Sequence, residues 1–192
     1  MDKTQKIFQI SEKYLVKKCL VLPVIDNPKF AIWSGSSKPH QHHYGKGGLI
    51  THTLEVIELC MSNYELMKNI YSDMNQNPDM YFLAALYHDV GKMWDYSPVN
   101  EDMTEWTGNS HKRKIHHISR SCIEWNLIAS QSQIHQSYID EISHAILAHH
   151  GLREWGSPVA PYSRVAWMLH LCDGISARMY DCNTFDCLLE KK

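Results

Sequence analysis

The chain lacks paired cysteines. Its six, at positions 19, 60, 122, 172, 182 and 187, never fall at CxxC spacing, which excludes zinc-ribbon and thioredoxin-type motifs. Cys60, Cys122 and Cys172 sit inside apolar helical patterns and read as reduced core residues. It also lacks an excess of either charge. Lysine and arginine number 19 against 21 acidic residues, a formal net charge of −2, so no global field gathers a polyanion. No apolar run reaches membrane-spanning length. The opening MDKTQKIFQISEKYLVKKC has no apolar signal-peptide segment, and the expectation is a cytoplasmic protein with no membrane partner. Internal repeats and low-complexity linkers are missing too. What remains is a chain of 192 residues, 44% hydrophobic, expected to fold as one domain over 1–192.

Histidine is what the chain has in plenty. Among 13 histidines are three adjacent pairs, His42-His43, His116-His117 and His149-His150, where composition alone gives about one. A series of ligand-type residues runs through the chain: His52, His88-Asp89, His117, His149-His150 and Asp173. Imidazole and carboxylate are the groups that hold first-row transition metals in hydrolytic sites. A metal so held generates hydroxide at neutral pH. The series therefore points to metal-dependent hydrolysis.

Hydrophobic periodicity predicts an all-α fold that spreads these residues over different helices. Residues 4–19 read as an amphipathic helix. Two β-favouring runs, 20–25 and 29–33, flank Asp26-Asn27-Pro28 and predict a small β-hairpin near the N-terminus. Ser34 to Gly48 is a loop. His52 falls in the first turn of a helix from Leu49, with Ile50, Leu54, Ile57 and Met61 on one face. Pro78 and Asp79 open the next, whose apolar run leads to His88-Asp89, with Gly91 as its stop. Residues 94–109 read as a loop or small hairpin. Ser110 caps a helix to about Ser130. Ser137 or Asp140 caps another that ends at His149-His150-Gly151. A helix over about 162–180 carries Asp173, and a short frayed one follows Asp181. Singly, each residue has an ordinary role: His52 as a cap, His149-His150 favoured by the helix dipole, Asp173 paired with Arg164 or Arg178. Together, five helices each supply a ligand type to one bundle, and that outweighs the separate readings.

These residues also carry a resemblance. The segments HHYGKGGLITHTLEV, LAALYHDVGK, AHHGLREWGSPVAP and LHLCDGISARM resemble the HD-domain phosphohydrolase superfamily, and within it the YhaM-type 3′-5′ exoribonucleases, over Gln41 to Met179. GGLITHTLEV is also similar to the HD-type relaxases of mobile elements. The resemblance implies a helical HD core over 41–180 behind an N-terminal extension, 1–40. It implies two divalent metals (manganese, iron, cobalt, nickel or zinc) on His52, His88, Asp89, His117, His149, His150 and Asp173, with Asp89 bridging.

A metal pair implies in-line attack on phosphorus by a bridging hydroxide, with Asp89, Lys92 and His43 as the expected catalytic residues. Lys92 can hold a phosphate oxygen, and His42 or His43 can contact substrate or protonate the leaving oxygen. Lys112, Arg113 and Lys114 make a local basic patch near His117, and Trp94, Trp106 and Trp155 border the ligands where a base can stack. Of these, the three cations and Trp155 join Lys92, His42 and His43 as expected substrate contacts. The expected function is a phosphodiesterase on RNA, single-stranded DNA or short oligonucleotides. The alternatives are a nucleotide phosphohydrolase on dNTPs, cyclic nucleotides or dinucleoside polyphosphates, and a non-catalytic module that binds metal and nucleotide. YhaM-type enzymes carry an oligonucleotide-binding domain before the HD domain. The roughly 40 residues here are too few for that barrel, so short oligonucleotides and free nucleotides gain weight.

Overall fold

The structure, a computed structural model, describes residues 1–182. The frayed helix expected beyond Asp181 lies outside them. Among the described residues the order is α1 (Lys3–Lys13), α2 (Lys18–Ile25), α3 (Pro28–Ile32), α4 (Gly48–Ile70), α5 (Pro78–Tyr87), α6 (Lys92–Asp95), β1 (Tyr96–Pro98), β2 (Trp106–Gly108), α7 (Ser110–Lys114), α8 (His117–Ala129), α9 (Gln136–Ala148), a 3-10 turn (Arg153–Trp155) and α10 (Arg164–Cys182). No described helix is long and apolar enough to cross a membrane.

The all-α expectation is met, with α5 at its centre. Residues Phe82 to Tyr87 have no exposed surface, because a helix apolar on every side must be enclosed. Helices α4, α9 and α10 pack around it, and α2 and α8 close the remaining sides. Two large side chains in this core have their polar atoms answered: Tyr87 Oη donates to the Leu20 carbonyl (2.7 Å) and Trp125 Nε1 to that of Ile139 (3.0 Å). The first 33 residues supply Ile7, Leu20, Val21, Phe30 and Trp33 to the same buried cluster.

Several local expectations are corrected. The hairpin predicted over 20–33 is helical instead. Pro28 takes the first position of α3, and the Asn27 side chain accepts from Lys29 N, so the turn signal is a helix cap. The β-favouring run of α2 buries Leu20, Val21 and Val24, and a short apolar run reads the same in either state. The antiparallel pair of the described residues is β1 with β2, inside the 94–109 segment. The helix expected over Ser110–Ser130 breaks at Ile115-His116, where His116 takes φ +69°. Asn109 rather than Ser110 caps its first piece, and His135 rather than Ser137 or Asp140 caps α9.

Candidate metal centre

Asp89 sits just past α5 and is 1% exposed. Its two carboxylate oxygens serve different neighbours. Oδ2 lies 3.4 Å from His52 Nε2, 3.4 Å from His88 Nε2 and 2.5 Å from Lys92 Nζ. Oδ1 lies 3.5 Å from His117 Nε2 and 3.8 Å from His149 Nε2. Asp173 on α10 closes the first group, with Oδ1 2.9 Å from His52 Nε2 and 3.8 Å from His88 Nε2. His150 closes the second, its ring centroid 4.4 Å from His149 and 5.3 Å from His117. The seven residues singled out as ligands thus converge in two groups around one carboxylate.

Hydrogen bonds fix the tautomers. His88 Nδ1 donates to the Ala85 carbonyl (2.8 Å), His149 Nδ1 to that of Ile146 (2.7 Å) and His150 Nδ1 to that of Trp155 (3.1 Å). A carbonyl only accepts, so each ring keeps its Nε2 lone pair. At His52 the control comes through Ser176. Its hydroxyl donates to Glu55 Oε2 (2.7 Å) and accepts from His52 Nδ1 (3.0 Å). Glu55 Oε2 also accepts from His43 Nε2 (2.9 Å). One carboxylate therefore orients two histidines.

His117 is placed by the helix break. As the first residue of α8 its N–H has no helical acceptor, and it donates to Asp95 Oδ2 at 2.8 Å. Asp95, fully buried, also accepts from His111 Nδ1 at 2.6 Å. Gly91 has φ −60° and does not act as a left-handed helix stop. Its role is close approach, because a Cβ there meets the His117 carbonyl oxygen at 2.2 Å.

The two groups differ electrically. Burial opposes charge on His52, but hydrogen bonds to Asp173 and then Asp89 outweigh it and raise its pKa. Burial likewise opposes charge on Asp173 and Asp89. His52 pulls Asp173 below the usual carboxylate range, and Lys92 with His88 pulls Asp89 well below it. In the other group burial wins: it pushes His117 down to about 4 and His149 well below the usual imidazole range. Asp89 Oδ1, His117 Nε2 and His149 Nε2 are buried with no hydrogen-bond partner among the described residues. Three converging orphan acceptors are costly, and an imidazole–carboxylate set of this kind fits a divalent cation.

A cleft of about 570 Å³ opens over the site, lined by His42, His149, His150, Trp155, Asp173 and Arg178 among others. Of the remaining expected residues, Lys92 is buried against Asp89, and His43 is buried behind His42, their Nδ1 atoms 3.2 Å apart. Lys112 donates to Ser37 Oγ (2.9 Å) with its ammonium over the Tyr96 ring; Arg113 and Lys114 are exposed on α7, and none of the three lines the cleft. Arg164 pairs with Asp73 at 2.7 Å, not with Asp173. The sequence singles out none of Glu55, Ser176, Asp95, His111 and His170. His170 Nδ1 in fact donates to the His149 carbonyl (2.9 Å). The available signal was position: Glu55 follows His52 by three residues and Ser176 follows Asp173 by three, one helical turn each.

Comparison with known proteins agrees with this arrangement. The HD domain family model matches residues 49–178. The chain is 30% identical over 176 residues to the 3′-5′ exoribonuclease YhaM of Oceanobacillus iheyensis, covering 92% of this chain and 52% of that protein. It is 29% identical over 189 residues to YhaM of Bacillus subtilis, covering 98% and 55%. For YhaM of a Geobacillus strain the identity is 30% over 180 residues, covering 93% and 48%. The chain thus spans about half the length of these relatives. No solved structure matches it.

Proposed function

The chain belongs to the HD domain family, and on that premise we propose that it is a divalent-metal-dependent phosphodiesterase acting on single-stranded nucleic acid or short oligonucleotides. The observation that carries this is the division of Asp89 between two ligand groups. His52, His88, Asp89 and Asp173 would hold one cation, and Asp89, His117, His149 and His150 would hold the other. Bound there, divalent cations supply Lewis-acid charge and make water a nucleophile at neutral pH.

The chain's own residues do the rest. Lys92 keeps a buried ammonium at Asp89 and sets positive charge where phosphate arrives. His43 Nε2–H donates to the Glu55 carboxylate, so its Nδ1 accepts from His42 Nδ1, and His42 Nε2 is left as an acceptor at the cleft. Burial pushes His42 down to about 3, which keeps it neutral. This favours His42 as an acceptor from a substrate hydroxyl over a donor to the leaving oxygen. The relatives' name, 3′-5′ exoribonuclease, supports a nucleic-acid substrate.

Incubation with manganese and end-labelled RNA and DNA oligonucleotides tests the reading, with 3′ trimming as the expected result. No trimming under several divalent metals, with metal verified in the protein, overturns it. Release of triphosphate or monophosphate from free nucleotides alone replaces it with a nucleotide phosphohydrolase.

A further inference from the structure

Five of the six tryptophans do not share one fate. Trp33, Trp106 and Trp125 are buried, and each donates Nε1–H to a backbone carbonyl, those of Tyr96, Met103 and Ile139. Trp155 and Trp167 are 61% and 51% exposed, and neither indole N–H has an acceptor among the described residues. Packing explains the first three and leaves these two unexplained.

The exposed pair is joined by His170. Its ring centroid lies 6.2 Å from that of Trp155, the planes 32° apart, and 5.9 Å from that of Trp167. The row is built into the metal site. His170 Nδ1 donates to the carbonyl of His149, and the carbonyl of Trp155 accepts from His150 Nδ1. Gly151, at φ +87°, leaves room for the ring: a Cβ there meets His170 Cε1 at 2.3 Å. Trp155 and His170 line the metal cleft beside Arg178. Trp167 lines an adjoining apolar groove of about 760 Å³, and cleft and groove share Leu171 and Ile175.

We infer that Trp155, His170 and Trp167 form a stacking row for unpaired nucleobases, along which a strand leaves the metal cleft. The inference rests on the phosphodiesterase reading above. Flat aromatic faces that begin at the place of the scissile phosphate, with a guanidinium beside them, suit successive bases and phosphates of any sequence. A folded protein partner needs no such continuity with the cleft.

The readout is the ratio of kcat/KM for a labelled tetranucleotide to that for bis(p-nitrophenyl) phosphate, which has no bases. Trp155→Leu and Trp167→Leu are each expected to lower this ratio on the order of 5- to 100-fold, since base–aromatic stacking is lost. Trp155→Phe restores most of it by returning a π-face. An unmoved ratio in well-folded Leu variants overturns the row while the phosphodiesterase reading stands. A shift in oligomeric state by light scattering with the ratio unmoved also overturns it, and makes the face a protein contact. Wild-type protein that cleaves bis(p-nitrophenyl) phosphate but no oligonucleotide instead sinks the underlying reading.

Discussion

The two sides of Asp89 are built from the same residue types and solve burial differently. On the side of His52, His88 and Asp173, His52 Nε2 lies 2.9 Å from Asp173 Oδ1 and 3.4 Å from Asp89 Oδ2, and the Lys92 ammonium completes the balance. That side satisfies itself. On the side of His117 and His149, lone pairs converge at Asp89 Oδ1 with nothing to receive them. A cation held there would receive them. One aspartate thus joins a self-compensated half to a dependent half.

The sharpest way to break the comparison is to remove what both halves share. Asp89→Asn is expected to lower kcat by at least about 10³-fold. Elemental analysis of the same variant should show loss of both ions, and retention of two would refute a shared carboxylate. Next come the halves taken singly, in chelator-treated protein. His52→Leu strips the partner from buried carboxylates and is expected to cost about 3–5 kcal/mol in urea unfolding. His149→Leu removes an orphan acceptor and should leave metal-free stability no lower than wild type. Equal losses in the two variants would abolish the distinction.

Smaller effects sharpen it. Asp95→Asn loosens His117, and Glu55→Gln loosens His52 and His43. Each is expected to weaken metal affinity by about 10–100-fold, measured by calorimetric titration with manganese, in a different one of two binding steps. A common step for both variants contradicts two separately supported groups. The smallest is Ser176→Ala, which deletes the hydroxyl between Glu55 and His52. It is expected to cost about 1 kcal/mol of stability, read from the denaturant midpoint.

The candidate ligands were legible because each lies at the end of a strongly periodic helix or on its inner face. His88-Asp89 follows a run that is apolar all round, and such a run can only be a buried helix aimed at something polar. The supports were not legible. Glu55 and Ser176 read as ordinary exposed-face residues of amphipathic helices until α4 and α10 are brought together. Asp95 gains its meaning from a backbone break at His116 that no residue type announces, since a left-handed histidine is uncommon. The N-terminal hairpin was misread because β-branched residues in a short run fit an enclosed helix as well as a strand. Likewise Gly91 signals a helix end in sequence, while its true constraint is an approach to α8 from far along the chain.

The hydrogen bonds that aim His88 and His149 go back to their own helices, to Ala85 and Ile146, in each case three residues earlier. Those carbonyls belong to the last turns of α5 and α9, where backbone acceptors otherwise have no intrahelical partner. Holding the ring and closing the helix end are therefore one bond. A ring that swings away leaves a terminal carbonyl of its helix without a partner, and a turn that frays takes away the ring's support. Were a metal bound on these rings, its slow release and slow amide exchange at these two turns would be expected to rise and fall together.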